Sequence, residues 1–95
     1  MTTSLIRYQV RPDQIGRNIE LLQDFFAQLA AVQPDGIGYS AYQLDDAASF
    51  LHIVDTDRGP GPFAVLPAYQ RYRMTVEERC EQPPVMTQIT AIGAY

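Results

Sequence analysis

The amino-acid sequence predicts an α+β fold with the element order β-α-β-β-α-β, as a single domain over residues 1–95. Three observations predict this fold class. The length is that of one ordinary domain. Two stretches have the apolar spacing of amphipathic helices, and four stretches rich in β-branched and aromatic residues flank them. Each helical stretch lies between two strand stretches, which is the order of the ferredoxin-like split β-α-β fold, an antiparallel four-stranded sheet with both helices on one face.

The first half of the chain predicts a strand and a long helix. Residues 4–10 alternate as a strand does, and a turn at residues 11–13 ends them because Pro12 cannot continue a central ladder. Asp13 can cap the next helix by accepting hydrogen bonds from its first free N–H groups. That helix is predicted over residues 14–33, where the run Gln-Pro-Asp-Gly ends it. The residues of its main apolar face are Ile15, Ile19, Leu22, Phe26 and Leu29.

A hairpin and a loop are predicted next. Residues 37–44 and residues 49–55 have strand composition, and the tight turn at residues 45–48 joins them. Residues 56–62 form a loop that contains the run Gly-Pro-Gly-Pro. This run cannot cradle a phosphate, because its prolines lack the N–H donors that such a loop needs.

A second helix and a last strand complete the prediction. The helix has an apolar face formed by Val65, Tyr69, Tyr72, Val76 and Cys80. Pro67 suits its first turn, and Arg73 with Glu77 makes an i,i+4 ion pair on its solvent side. Residues 83–84, both proline, are predicted to end the helix, and residues 85–94 are predicted to form the last strand.

Composition and charge exclude several classes of partner and chemistry. The net charge of −4 argues against nucleic acid or an anionic membrane as a partner. All seven cationic residues are arginine, and the absence of lysine excludes a Schiff-base mechanism. Cys80 is the sole cysteine, so no disulfide forms within the chain, and we expect neither a signal peptide nor a membrane-spanning segment. We expect a cytoplasmic protein without a metal or cofactor.

Both faces of the predicted sheet are apolar. The third strand offers Leu51 and Ile53 to one face and Phe50 and Val54 to the other. The last strand alternates in the same way, with Ile89 and Ala91 against Met86 and Ile92. Since the helices cover one face only, leaving the other wet would forfeit much of the stability of a small domain. The sequence therefore predicts a homodimer that buries this face. The alternative is a monomer whose exposed apolar face makes it slightly prone to self-association.

A candidate site follows from the side chains on the face turned away from the helices. If Ile6 and Tyr8 face the helices, the third strand presents Phe50, His52 and Val54 to the other side. A four-residue hairpin turn adds Tyr39 and Gln43 to that side, whereas a five-residue turn adds Tyr42 in their place. The polar members of the surface are Arg7, Gln9, Tyr39, Gln43, His52 and Gln88. An apolar cavity with a few convergent polar groups is typical of a small-molecule site.

His52 is the candidate general base of this site. It is the only histidine and the only side chain that titrates near neutrality without special help. It could take a proton from an acidic phenol or enol, while Arg7 and Tyr39 stabilise the oxyanion. Two alternatives stay open: His52 is a neutral strand histidine bonded to a Gln or Tyr, and Arg7 pairs with an acidic residue across the dimer.

The chain resembles the dimeric α+β barrel superfamily and, within it, small proteins similar to the antibiotic biosynthesis monooxygenases. The residues that carry the resemblance span most of the chain: YQVRP at 8–12, LDD at 44–46 with SFLHIV at 49–54, LPAYQ at 66–70, and ERC at 78–80 with PPV at 83–85. The resemblance implies a barrel of two sheets with a hydrophobic pocket. Its characterised members oxidise polycyclic phenols with O2 and no cofactor, degrade haem or isomerise small metabolites.

This sequence departs from the oxygenases of that superfamily at one point. Those enzymes use Trp and Asn near the pocket, but the chain has no Trp, and its one Asn, Asn18, lies on the first helix, where they can place an active Asn. The departure disfavours haem degradation.

Two functional hypotheses result. The first is a cofactor-independent, monooxygenase-like enzyme for a small aromatic or quinol-type molecule, and the second is a non-catalytic dimeric small-molecule-binding or accessory protein. Candidate substrate-binding residues are Gln9, Gln43, Gln88, Phe50, Tyr42 and Asn18. An open pocket with His52 on its wall favours the first hypothesis, and a barrel packed shut by Phe50, Met86 and Ile92 favours the second.

Overall fold

A computed structural model of the chain describes residues 2–57 and 62–95. Its elements in chain order are β1 (Thr2–Val10), α1 (Ile15–Val32), β2 (Ile37–Gln43), β3 (Ser49–Thr56), α2 (Pro67–Arg79) and β4 (Cys80–Ile89). Short 3-10 turns at Pro12–Gln14 and Pro62–Val65 precede the two helices. The predicted element order is confirmed. Most of the Gly-Pro-Gly-Pro run of the predicted loop lies outside the described residues.

The four strands form one antiparallel sheet in the order β2-β3-β1-β4. Both helices pack on one face, where Tyr8 and Val10 of β1 meet Leu21 of α1 and Tyr72 and Val76 of α2 in one buried cluster. This is the ferredoxin-like fold that the sequence predicts. No helix in the described ranges combines the length and the hydropathy needed to cross a membrane.

The hairpin turn has four residues. Ala41 pairs with His52 across the β2–β3 ladder, and the Leu44 N–H donates to the Ser49 carbonyl at 2.9 Å, so the turn consists of residues 45–48. Asp46 holds the turn by accepting hydrogen bonds from the backbone N–H and the hydroxyl of Ser49, which lower the pKa of the Asp46 carboxyl. Of the two turn lengths considered from the sequence, the shorter one is therefore present.

Helix α1 begins without the predicted aspartate cap. Gln14 occupies the N-cap position and makes no side-chain cap hydrogen bond, because Asp13 is taken up in the 3-10 turn that precedes the helix. The predicted end is confirmed: Gln33 adopts a left-handed conformation with φ of 49°, and its N–H donates to the Leu29 carbonyl.

Strand β4 begins earlier and ends earlier than predicted. Helix α2 ends at Arg79, and β4 starts at Cys80 and continues through Pro83 and Pro84, so the prediction that these prolines end the helix was wrong. The sheet tolerates them for two reasons: β4 is an edge strand, and its register with β1 shifts at the prolines, between the pairs Arg7–Val85 and Gln9–Gln82, so no regular ladder bond is lost there. The strand ends at Ile89, and residues 90–95 are exposed beyond it.

The prediction of which β3 side chains face away from the helices was also wrong. In the β1–β3 ladder Ile6 lies opposite His52 and Tyr8 lies opposite Phe50, and directly opposed residues of an antiparallel pair share a face. Phe50, His52 and Val54 therefore face the helices. Met86 and Gln88 do so too, since they lie opposite Ile6 and Ser4 of the same strand. A register offset of one residue exchanges the two faces, and strand pattern alone does not exclude it.

The face turned away from the helices is nevertheless apolar. Leu51 and Ile53 of β3 lie beside Leu5 of β1 on this outer face. Its further members are Arg7 and Gln9 of β1, Tyr42 of β2 and Val85 of β4. Tyr42 and Val85 are 53% and 65% exposed, so the sheet has apolar side chains that nothing in the single chain covers.

Candidate functional site

A cavity of about 360 Å³ lies between the sheet and the side of the domain formed by α2 and the 3-10 turn before it. Its aromatic wall consists of Tyr39, Phe63 and Tyr69. Strands β1, β3 and β4 contribute the aliphatic and thioether side chains Ile6, Val54 and Met86, and the polar side chains Thr2, Ser4, Thr56 and Gln88. The volume lies near the lower end of the range of about 300–1,000 Å³ that is usual for small-molecule sites.

His52 lies behind this cavity, in the core. It is 0% exposed, and both ring nitrogens contact tyrosine hydroxyls: Nε2 lies 2.9 Å from Tyr8 Oη, and Nδ1 lies 2.9 Å from Tyr39 Oη. The ring of Tyr72 packs against the imidazole at a centroid distance of 5.6 Å. Burial lowers the pKa of His52 to about 4, so the imidazole is neutral at pH 7.

The hydrogen-bond network continues from Tyr8 to a buried arginine. Asn18, which is 0% exposed, donates from Nδ2 to Tyr8 Oη at 3.0 Å and accepts at Oδ1 from Arg79 Nε at 3.1 Å. Arg79 is 4% exposed and also donates to the Tyr72 carbonyl. Within the described ranges the one ion pair joins Arg73 and Glu77, so Arg79 is a buried cation without a carboxylate partner there.

The structure brings some of the sequence-predicted site residues together and separates others. Tyr39 and Gln88 line the cavity. His52 contacts Tyr39 and does not itself line the cavity. Arg7 and Gln9 lie on the outer face, on the far side of the sheet. The prediction that Arg7 and His52 share one surface was therefore wrong, since the β1–β3 register turns their side chains in opposite directions.

The remaining predicted ligand contacts lie elsewhere. Tyr42, Gln43 and Phe50 border a second, shallower pocket of about 220 Å³ between α1 and the hairpin end of the sheet. Gln43 donates to the Ala47 carbonyl and holds the turn, while Phe50 is 2% exposed and stacks on Tyr8. Asn18 is enclosed in the network, so no ligand in the cavity reaches it.

Sequence reasoning did not predict the roles of Tyr8, Tyr69 and Arg79. Tyr69 has the helical spacing of a core residue, and only the structure shows that it lines the cavity. Arg79 has a signal that could have revealed it, because it follows Tyr72 by seven positions and Val76 by three, on the buried face of α2. A charged residue in the last turn of a helix usually interacts with solvent and the helix dipole, which hides that signal.

Solved structures with the same fold are numerous, although no protein-family model matches the sequence and no curated protein matches it either. The structure of Rv0793 from Mycobacterium tuberculosis superposes with a TM-score of 0.77 at 21% identity, covering 98% of this chain and 96% of that one. A structure named antibiotic biosynthesis monooxygenase superposes with a TM-score of 0.78 at 11% identity, covering 98% of this chain and 100% of that one.

A third similar structure comes from Nitrosomonas europaea, where the name antibiotic biosynthesis monooxygenase is provisional. Its TM-score is 0.77 at 16% identity, and the match covers 98% of this chain and 100% of that one. Similarity at identities this low establishes the fold. The resemblance identified from the sequence is confirmed at that level: the chain has the ferredoxin-like α+β fold of the structures that carry the antibiotic biosynthesis monooxygenase name.

Proposed function

We propose that the chain is a cofactor-independent, monooxygenase-like enzyme that oxidises a small aromatic or quinol-type molecule in the 360 Å³ cavity. The observation that carries the proposal is the position of Tyr39, which lines an aromatic cavity and is bonded through its hydroxyl to His52. The names of the similar structures support the reaction class.

The lining suits a flat, largely apolar molecule. The rings of Tyr39, Phe63 and Tyr69 pack at angles to one another, with centroid distances of 5.5 Å for Tyr39–Phe63 and 5.0 Å for Phe63–Tyr69, and an aromatic ligand can extend this cluster. Met86 offers a thioether contact to a ring, and Gln88 offers an amide that can donate to or accept from a second oxygen of the ligand.

Tyr39 acts in this proposal as the hydroxyl that stabilises the oxyanion of an ionised phenol or enol. His52 positions Tyr39 and does not contact the substrate, which replaces the role of general base expected from the sequence. Arg7 has no role in the cavity, because it lies on the outer face.

The overall reaction balances without an external reductant. Loss of one proton to water from a ring methylene that is conjugated with the carbonyl across the ring gives a delocalised anion, and O2 adds to its carbon and takes up a proton to form a hydroperoxide. The second hydrogen of that carbon leaves as a proton while the O–O bond breaks, giving a carbonyl and water. One methylene and one O2 thus become one carbonyl and one water, with all electrons supplied by the substrate.

Oxygen uptake with anthrone tests the proposal. The chain should accelerate conversion of anthrone to anthraquinone over buffer, with one O2 consumed per quinone formed. Tyr39→Phe should slow turnover at least tenfold, whereas the matched control Tyr42→Phe, three residues along the same strand and on the outer face, should leave it unchanged. Turnover no faster than in buffer would exclude the enzyme for this substrate class.

A non-catalytic binding protein is the second candidate, and one observation favours it. None of the cavity-lining side chains in the described part of the chain titrates near neutrality, and His52 is 0% exposed. Anthrone that binds in the cavity without any oxygen uptake would support this candidate over the enzyme.

A homodimer is part of the proposal. A second copy would cover the outer face, whose apolar side chains include Leu5, Leu51 and Ile53, and the two sheets would then form the barrel that the resemblance implies. The cytoplasmic location stays a prediction.

A further inference from the structure

We propose that the cavity binds its ligand as an anion, because a one-way hydrogen-bond chain from the buried Arg79 presents the Tyr39 hydroxyl to the cavity as a donor. The inference rests on the proposed function in using the same cavity. It goes further in stating the charge of the bound ligand and in assigning Arg79, Asn18, Tyr8 and His52 as positioning residues for Tyr39.

The contact between Arg79 and Asn18 sets the direction of donation along the hydrogen-bond chain. A guanidinium can only donate, so the atom of Asn18 that Arg79 Nε contacts at 3.1 Å is the amide oxygen. The other amide atom is then the nitrogen, which donates to Tyr8 Oη at 3.0 Å. Tyr8 therefore receives a hydrogen bond at its oxygen and must place its own hydrogen elsewhere.

The same count fixes the tautomer of His52. Among the described residues, the Tyr8 hydroxyl has two further partners, the Tyr72 hydroxyl and His52 Nε2 at 2.9 Å. The bond with Tyr72 acts to lower the pKa of Tyr8 and to raise that of Tyr72, as it does when Tyr72 donates and Tyr8 accepts. Both lone pairs of the Tyr8 oxygen are then occupied, so Tyr8 donates its own hydrogen to Nε2. A neutral imidazole carries one N–H, which then lies on Nδ1 and donates to Tyr39 Oη at 2.9 Å. The hydrogen of the Tyr39 hydroxyl has no acceptor in the network, and Tyr39 is the network member that lines the cavity.

The electrostatics of the core act in the same direction. Arg79 places a positive charge at the far end, with no carboxylate partner within the described ranges, and bonds in such a chain polarise one another. Burial raises the pKa of Tyr39 above the usual tyrosine value, so its hydroxyl stays protonated and remains a donor. A donor backed by an unpaired buried cation favours a phenolate or enolate oxygen over a neutral one.

The substitution Asn18→Asp should reverse the direction of the hydrogen bonds between Tyr8 and Tyr39. A carboxylate at this position accepts from both Arg79 and Tyr8, so Tyr8 then accepts from an N–H on His52 Nε2. His52 Nδ1 loses its hydrogen and accepts from the Tyr39 hydroxyl, whose oxygen is left facing the cavity as an acceptor. The variant should therefore prefer the neutral, hydrogen-donating form of a phenol.

Nitrogen NMR of the His52 imidazole tests the direction of the hydrogen-bond chain without any ligand. Because the protein has one histidine, all signals from 15N-histidine labelling belong to His52, and the couplings of the two ring nitrogens to the ring C–H hydrogens distinguish Nδ1 from Nε2. The wild-type protein at pH 7 should show a protonated Nδ1 and a bare Nε2, and Asn18→Asp should exchange them. A wild-type spectrum with the hydrogen on Nε2 would overturn the inference. Because this measurement uses the wild-type protein, it tests the inference even if the Asn18→Asp variant fails to fold.

Absorbance titration with 4-nitrophenol tests the ligand charge. The midpoint of ionisation of the bound phenol should fall by at least one pH unit from that of the free phenol, which corresponds to at least tenfold tighter binding of the anion. In Asn18→Asp the midpoint should rise above the free value, and in the control Tyr42→Phe it should match wild type.

The outcomes separate this inference from the proposed function. Equal affinity for the neutral phenol and its anion would overturn the inference. The proposed oxidation of anthrone would then still be decided by its own oxygen-uptake test. If the protein prefers the anion but no oxygen is consumed in the presence of anthrone, the inference is supported and the proposed enzymatic activity is excluded. Binding of neither form overturns the anion site together with the cavity on which both depend.

Discussion

Tyr39 Oη lies 2.9 Å from His52 Nδ1, and this contact is the link between the buried histidine and the cavity. Tyr39 lines the cavity while His52 is 0% exposed behind it. In the proposed site, the group that meets a ligand is therefore a tyrosine, and the histidine would act on the ligand only through the orientation of that tyrosine.

Folding stability should depend on pH because of His52. Its pKa is about 4 when folded and 6.5 in the reference state, so between these values the unfolded chain binds more protons. Stability should be highest above pH 6.5 and fall as the pH is lowered toward 4, by about 3 kcal/mol in total. The groups that contact His52 in β1, β2 and α2 are the tyrosines Tyr8, Tyr39 and Tyr72, which do not titrate in this range.

Urea unfolding at fixed protein concentration between pH 4 and 7.5 measures this dependence. His52→Gln, which keeps an amide donor and acceptor at the position, should remove most of the slope between pH 4.5 and 6.5. An unchanged slope in the variant would assign the pH dependence to carboxylates.

Arg79 should contribute strongly to stability although it lies in the last turn of a helix. Arg79→Met removes the donor to the Asn18 side chain and to the Tyr72 carbonyl, so buried acceptors lose their partner. We expect a loss of about 2–4 kcal/mol in the free energy of unfolding. The matched control is Arg73→Met on the same helix, where an ion pair with a 49% exposed arginine should contribute about 0–1 kcal/mol. Similar losses for the two variants would refute the buried role.

The outer face should hold two copies of the chain together. Leu51→Glu places a charge in the middle of that face, opposite Arg7, and should convert a dimer into a 10.7 kDa monomer in sedimentation experiments. Met74→Glu, at an 80% exposed position on α2, should leave the dimer intact. A wild-type chain that sediments as a monomer at working concentration would rule out the proposed assembly.

Substitutions at two neighbouring positions on β4 should differ in their effect on ligand binding. Met86 faces the helices and lines the cavity, so Met86→Trp should fill part of its volume and weaken 4-nitrophenol binding at least tenfold. Thr87 lies opposite Leu5 on the outer face, so Thr87→Trp should leave binding within about twofold of wild type. Calorimetric titration of both variants measures the difference, and equal affinities would show that the ligand binds elsewhere.

Local patterns predicted most of the fold. The helical spacing of Ile15, Ile19 and Leu22 and the turn residues 45–48 are read from a few neighbouring positions, and the structure confirms both. The start of β4 was missed because Pro83 and Pro84 end helices and central strands alike, and only the sheet-edge position of β4 together with the register shift opposite β1 makes them acceptable. Tyr39 and Gln88 were predicted site residues that the structure places in one cavity.

What the sequence by itself determined is the order of the elements and the apolar character of both sheet faces, since periodicity is a property of short stretches of chain. What only the tertiary structure decided is which side chains share a face. The pairing of Ile6 with His52 joins positions far apart in the chain, and a shift of one residue would move His52 to the opposite side of the sheet from the helices. The same pairing buries His52 beside Tyr8 and sends Arg7 to the outer face, because both follow from one register that no local pattern specifies.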